Sequence, residues 1–430
     1  MGNPIAEKPL PHKDRPGADI IPLNRDAPAI RRHYGLDWLR IGAFLLLILF
    51  HIGLYLSPWD WHVSSARPVE GVVYFLFLTN PWRMSLLFLV SGYAARAVLA
   101  RAGGPLGFAR SRSLRLGLPL LFGAALVVAP QPWVEASYKL GYAHGFLHFW
   151  LHDYFDFDGS DGIATPLLGH LWFVAYIWAY SLVLALFATI LPRSWQDQAQ
   201  AGFARIFTGW RLLLLPMLWQ GLVRLVLLPG QMPSNHLPTD LPGHLVYFPA
   251  FLFGFGLARA ESLWPSILRF WKPALAVALI GYAGTVWDHL GYPGLPLDGD
   301  MRANVNRGAL VLSTWTAIIG LLGLAQRHLD CDHRWRSLLN EAVFPFYIIH
   351  QTIIVLVGWW LIHRDYGDLA EFLILVSATL SGCTLFYLAG RRIRWLRPLI
   401  GLPLDRKGAS RLKPAPDSPR SPDNVPVRSR

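Results

Sequence analysis

Ten mostly apolar stretches, most of them roughly 17 to 25 residues long, recur along this chain, near 36–57, 71–100, 114–130, 170–191, 211–229, 244–258, 273–290, 307–326, 341–362 and 371–390. A run of that length reads as a membrane-crossing helix, because lipid offers no water to satisfy exposed backbone groups. The fold class expected is all-α, a polytopic transmembrane helical bundle with about ten spans. The sixth run is short and Gly-rich, and the second has room for an interfacial piece at its start.

Composition agrees: 53% of residues are apolar and only 15% charged, which excludes an ordinary soluble enzyme. Many of the 19 Trp stand at the ends of apolar runs, where an interfacial aromatic belt would lie. The net charge of +12 is spread over short loops rather than gathered in a patch, so it argues for membrane topology and against nucleic acid. Two cysteines, Cys331 and Cys383, make neither a disulfide framework nor a metal-ligand spacing, and no metal site is expected.

The polar, Pro-rich residues 1–33 lack the apolar segment and small-residue cleavage site of a signal peptide. Basic residues such as Lys8, Lys13, Arg31, Arg32, Arg110, Arg112, Arg193, Arg269 and Arg334 fall on one side of the bundle, and eleven more follow from Arg391 onward. The other side holds chiefly Arg67, Lys139, Arg302 and Arg364, so the positive-inside rule places both termini in the cytoplasm. Three parts follow: a polar cytoplasmic tail over 1–33, a transmembrane domain over 34–395, and a basic tail over 396–430 whose Pro, Ser and Arg suit disorder beside anionic inner-leaflet lipid. The longest outer loop, about 131–169, gathers Asp153, Asp156, Asp158 and Asp161 with His144, His148 and His152, a solvated acidic loop with room to meet an extracytoplasmic ligand.

Ionisable groups inside the runs carry the functional argument, since each costs about 2.5 to 3.5 kcal/mol at the bilayer centre on insertion scales. Arg40 and His51 share the first run with ten residues between them. Eleven helical steps bring them within about 20° of one face and about 16 Å apart along the axis. Asp37 lies near the same stripe. His51 has the chemistry of a general base; an interhelical hydrogen bond is the alternative. Arg112 and Arg115, before the third span, are a forked pair able to hold phosphate, or else plain topology determinants.

Four further groups have both a structural and a functional reading. In the second run, Arg83 either snorkels near the outer end or contacts substrate, Ser91 and Tyr93 offer hydrogen bonds, and Gly92 permits close helix approach. His170 and Trp172 open the fourth run, with His170 able to stay interfacial, while His350 and Gln351 lie deep in the ninth and need partners. Trp59, Trp61 and His62, just outside His51, suit a carbohydrate platform or an aromatic anchor.

Taken in order, Arg40-x10-His51, Arg112-x2-Arg115, Phe88-Leu-Val-Ser-Gly-Tyr93, His170-Leu-Trp-Phe173 and Phe346-Tyr-Ile-Ile-His350 resemble the acyltransferase 3 family of integral membrane acyltransferases, over about residues 34–395. The stretches Phe50-His51-Ile-Gly-Leu-Tyr55 and Trp61-His62-Val-Ser-Ser65 resemble the branch of that family associated with succinylation of periplasmic glucans. The resemblance implies a multi-pass protein of the bacterial inner membrane that moves an acetyl or succinyl group from cytoplasmic acyl-CoA to a hydroxyl of an extracytoplasmic glycan. It implies that Arg40 and His51 are the catalytic pair and that Arg112 and Arg115 are the second arginine motif, placed for acyl-CoA. The expected partners are acyl-CoA as donor substrate, a glycan acceptor and membrane lipids, with no permanently bound cofactor and no nucleic acid; a homo-oligomer stays open. His51 would deprotonate the acceptor or carry the acyl group, with Arg40 orienting the donor and Asp37 restraining Arg40. A transporter or flippase without covalent chemistry is the rival reading, and a non-catalytic scaffold leaves Arg40 and His51 unexplained.

Overall fold

The computed structural model describes residues 33–404 apart from 157–164, 166–167, 294, 296 and 365. Residues 1–32 and 405–430, with most of both expected tails, lie outside the described residues, as do Asp158 and Asp161 of the acidic loop. Among the described residues every regular element is helical.

Apart from short helical segments at 146–153 and 396–399, the helices of the described residues are the ten apolar runs and one more between the fourth and the fifth. We number them α1 (Tyr34–Leu56), α2 (Val72–Arg101), α3 (Pro105–Leu140), α4 (Gly169–Ile190), α5 (Arg193–Ile206), α6 (Arg211–Leu227), α7 (Leu241–Leu257), α8 (Glu261–His289), α9 (Gly299–His328), α10 (Arg336–Leu361) and α11 (Asp368–Arg392). Eight of them are long and apolar enough to cross a membrane. The other two expected spans are shorter: α6 follows α5 at a bend of 101°, and α7 is an apolar helix of 17 residues. Seventeen residues extend about 26 Å, somewhat less than the hydrocarbon core. The bend before α6 is made at Gly209, whose φ of 69° is open to glycine without strain. The residues of α5, expected within a loop, form an amphipathic helix with none of its residues buried, as an interfacial helix requires.

Burial separates a centre from a rim. The most apolar window of α9 is 72% buried, against 22% for α11 and 33% for α8. Around α9 pack α1, α2, α6 and α8, while α1 also packs on α2 and α10. The largest core cluster surrounds Phe88, a fully buried ring in contact with Phe173, Tyr176, Tyr180 and Tyr247. Glycine sets the approach of α2 to α7. A Cβ on Gly92 would lie 1.8 Å from the Phe251 carbonyl oxygen, and one on Gly254 would lie 1.8 Å from that of Leu89. The two backbones are therefore in direct contact, the close-approach role that small residues have between membrane helices.

Two boundaries depart from expectation. The third run was expected to end near 130, yet α3 continues to Leu140. Pro130 and Pro132 both sit in the first turn of a helical segment, where a missing N–H costs little, and π-helical turns at Gly123–Val127 and Ala136–Leu140 absorb the register. The extension carries Gln131 and Glu135 into the bundle. At the other end the expected disordered tail begins with an ordered turn, Leu396–Leu399, because Ile400 and Leu402 are buried in the core and Arg397 Nε donates to the Pro403 carbonyl at 2.6 Å.

Candidate active site

Three histidines meet between α1, α4 and α10. The His51 and His350 ring centroids are 5.1 Å apart, and those of His350 and His170 are 5.0 Å apart. The backbone fixes their tautomers. His350 Nδ1 lies 2.8 Å from the Tyr347 carbonyl oxygen, which can only accept, so this nitrogen carries the proton and Nε2 presents a lone pair. His51 Nδ1 lies 2.9 Å from the Leu47 carbonyl oxygen and 3.2 Å from His350 Nε2, two acceptors that one N–H serves. His51 Nε2 is then the basic nitrogen, and it makes no hydrogen bond to any described residue. His170 was expected to be able to stay interfacial; instead it is buried, with Nε2 donating to the Ile348 carbonyl at 3.0 Å while its own carbonyl accepts the Tyr347 hydroxyl. The tight turn Gly169–Leu171 that opens α4 draws it inward.

A chain of side chains leads outward from this cluster. Gln131 donates to Thr352 at 2.7 Å and lies 3.4 Å from His170 Nδ1, and Gln351 donates to Gln131 at 3.0 Å. Gln351 also stands 3.1 Å from His62 Nε2, and His62 Nδ1 donates to Glu135 at 2.6 Å. Lys139 closes the chain by binding Glu135 at 3.0 Å and Asp60 at 2.8 Å. A carboxylate behind Nδ1 orients an imidazole, so the His62 and Glu135 pair is a polar wall set beside the bases. Trp61 faces the same space, 6.1 Å from the His51 ring, whereas Trp59 turns away onto Phe77 at 5.6 Å. The expected aromatic platform is therefore one indole, not two.

Arg40 lies eleven residues before His51 in α1, about three turns or 16 Å towards the start of the helix. It donates to Asn340 Oδ1 at 2.6 Å. Asp37, expected to restrain Arg40, forms an ion pair of 2.6 Å with Arg336, which also holds Asp332 at 2.8 Å. Two rungs thus tie α1 to α10, Asp37 to Arg336 and Arg40 to Asn340. Above them a narrow cavity of about 50 Å³, lined by Ile41, Phe44, Leu47, Ile48, Phe346 and His350, runs between the same two helices up to the histidines.

Arg83 does not snorkel. It lies eleven residues inside α2 and is 2% exposed, its guanidinium 3.7 Å from the centre of the Phe50 ring. Trp172 contacts Phe88 and Tyr247, with ring centroids 6.1 and 5.5 Å away, in the aromatic core beside this arginine. Tyr93 falls elsewhere, meeting the His33 ring at 6.3 Å. Arg112 and Arg115 are separated by environment. Arg112 is buried and donates through Nε to Ser181 at 3.1 Å, while Arg115 is exposed, because a π-helical segment at Ser113–Gly117 alters the register between them.

The acyltransferase-domain family model matches residues 33–388. The chain belongs to the acyltransferase 3 family. This acyltransferase is 32% identical over 161 residues to "Glucans biosynthesis protein C" of Escherichia coli O6:K15:H31 (strain 536 / UPEC), covering 37% of the chain and 38% of that relative. The same identity and coverage hold for the proteins of that name from E. coli strains SMS-3-5 / SECEC and O157:H7 (strain EC4115 / EHEC). The chain thus matches well under half the length of these relatives. No solved structure matches it.

Gln131, Glu135, Thr352, Asn340 and Arg336 were not singled out from sequence. Glu135 offered a signal, an acid close behind an apolar run, but it fell within the expected outer loop of about 131–169. The pairing of Arg40 with Asn340 spans 300 residues and leaves no trace in local pattern.

Proposed function

We propose that this membrane acyltransferase moves an acyl group, acetyl or succinyl, from acyl-CoA on the cytoplasmic side to a hydroxyl of an extracytoplasmic glycan, a glucan being the acceptor that the name of its relatives suggests. The observation that carries the reading is His51: its Nδ1 is held as a donor by the Leu47 carbonyl, and its Nε2 is left as an unpaired base beside a polar wall. A sugar hydroxyl is a weak nucleophile and needs its proton removed as it attacks a thioester. His51 Nε2 takes that proton, or attacks the thioester first and passes the acyl group on. His350 accepts from the His51 N–H and positions its ring; Trp61 and His62 contact the sugar.

Arg40 belongs to the donor in this reading. It lies about 16 Å along α1 from His51, too far to touch the same carbonyl. Arg112 and Arg115 hold phosphates of the CoA headgroup from the cytoplasmic face. Substituting Arg112 or Arg115 by Ala is expected to weaken acyl-CoA binding by about 10-fold each, the size of one lost charge-assisted hydrogen bond. Calorimetric titration of the purified protein checks this, and unchanged affinity in both variants removes the arginines from the donor site.

The orientation adopted puts both termini in the cytoplasm of a bacterial inner-membrane protein, supported by the distribution of basic residues. The direct test supplies purified protein in nanodiscs with acyl-CoA and a glucan oligosaccharide, then follows free thiol and glycan mass together. Thiol release matched by an acylated sugar supports the reading. Thiol release without a glycan product assigns another acceptor. Neither product, with glucan instead carried across a sealed vesicle, supports the transporter.

A further inference from the structure

The apolar runs of α8 and α9, near 273–290 and 307–326, stop at the same end of the bundle, and a cavity of about 510 Å³ lies there between the two helices. Its lining is Leu268, Arg269, Trp271 and Lys272 from α8 with Arg327 and His328 from α9. Glycine lets the helices meet. A Cβ on Gly323 would lie 2.2 Å from that of Trp271, and one on Gly320 would lie 2.5 Å from a Leu275 methyl, so α8 rests directly on α9 just inside the cavity. The Trp271 indole stands 5.9 Å from the His328 ring and 5.5 Å from Lys272 Nζ, as an interfacial tryptophan among basic residues does.

The basic groups here have no partners of their own. Arg269, Lys272, Arg327 and His328 are exposed, and none of them makes an ion pair or a side-chain hydrogen bond with a described residue. The acids nearest in sequence are committed elsewhere: Asp330 accepts from the Tyr34 amide at 2.7 Å and from Gln326 at 2.6 Å, Glu261 faces His33 at 3.2 Å, and Asp332 holds Arg336. No carboxylate lines the cavity. Two guanidinium forks and an ammonium around one open space, without a counter-ion, describe a phosphate site.

The surroundings say which phosphate. Only 33% of the apolar window of α8 is buried, so this helix stands at the rim of the bundle. Leu279 and Ile280, both exposed, follow Leu268 and Arg269 by eleven residues, which returns them to one helical stripe about 16 Å further along the axis. A water-soluble phosphate would fill the cavity and leave that stripe bare, whereas a phospholipid uses both. A zwitterionic headgroup would bring an ammonium among like charges, so the headgroup that fits carries net negative charge. We propose that the cavity between α8 and α9 binds the phosphate of an anionic phospholipid, such as phosphatidylglycerol, with an acyl chain lying along Leu279 and Ile280. The site is separate from the reacting histidines and independent of which acyl group or acceptor the enzyme uses.

The test is native mass spectrometry of the full chain, supplied with equal amounts of phosphatidylglycerol and phosphatidylethanolamine of identical acyl chains. Wild type is expected to retain phosphatidylglycerol about 10-fold more, and the triple variant Arg269→Ala, Lys272→Ala, Arg327→Ala to bring the two lipids within about 2-fold. Arg193→Ala with Arg205→Ala removes two exposed cations of α5, at the same end of the bundle but outside the cavity, and keeps the preference. Equal retention of both lipids by wild type overturns the proposal, and so does an equal loss of preference in the α5 variant, which would mean general surface attraction. Coenzyme A offers phosphate without the two acyl chains: if it displaces the lipid from wild type and does not bind the triple variant, the cavity is a nucleotide site and the lipid claim falls. Should the triple variant fail to fold, unfolding temperatures of wild type and Lys272→Gln decide. A rise given by phosphatidylglycerol alone and reduced in Lys272→Gln supports the site, and an equal rise with both lipids or in both proteins rejects it.

Discussion

His51→Ala is expected to lower acyl transfer by about 10³-fold, the contribution typical of a positioned general base, while leaving the thermal transition of the purified protein nearly unchanged. The ring is held by one backbone carbonyl and one neighbouring imidazole, so its loss removes chemistry and little packing. His350→Ala should cost less, about 10-fold, because His350 touches the Nδ1 side of His51 and not the basic nitrogen. Initial rates of thiol release with saturating acceptor measure both. Comparable losses in the two variants would move the reacting centre to the pair, and an active His51→Ala enzyme would remove it from α1 altogether.

The second large effect concerns the scaffold. Gly92→Val and Gly254→Val each push a side chain against backbone on the opposite helix, where the Cβ alone would stand 1.8 Å from a carbonyl oxygen. No rotamer relieves a contact made by Cβ. Each substitution is expected to destabilise the fold by about 3 kcal/mol or more, at the top of the range for overpacking, and to yield mostly aggregated protein. Gly42→Ala is the control, since a Cβ there meets nothing within 4 Å. Unfolding temperature in detergent and the monodisperse fraction on gel filtration report the difference. Stable Gly92→Val protein would mean that α2 and α7 are not packed backbone to backbone.

The two kinds of information in this sequence were legible to different degrees. Helices could be read because lipid imposes one rule on every spanning segment, and each apolar run duly forms one. Depth was harder. Arg83 looked like a snorkelling residue because the start of α2 at Val72 could not be placed against the membrane surface, and about 16 Å of helix separates the two. Gln131 and Glu135 fell within the expected outer loop, whereas Pro130 and Pro132 lie in a first turn and the helix runs on past them. Tertiary partners were not legible at all: nothing local links Asp37 to Arg336, or sends Trp61 towards His51 and Trp59 away from it. His51, His170 and His350 were each visible as costly groups in apolar surroundings, and what the fold adds is their convergence and the proton positions that the carbonyls of Leu47 and Tyr347 dictate.

The central claim is covalent acylation of a glycan through His51, and mass spectrometry of cell-envelope glycans tests it most directly. Cells lacking this protein are compared with cells rescued by wild type or by His51→Ala. The account predicts that an acyl mass vanishes from the glycan, returns with wild type and stays absent with His51→Ala, its value naming the group transferred. Glycans that keep every acyl group but change compartment would contradict it, and the protein would then be a transporter.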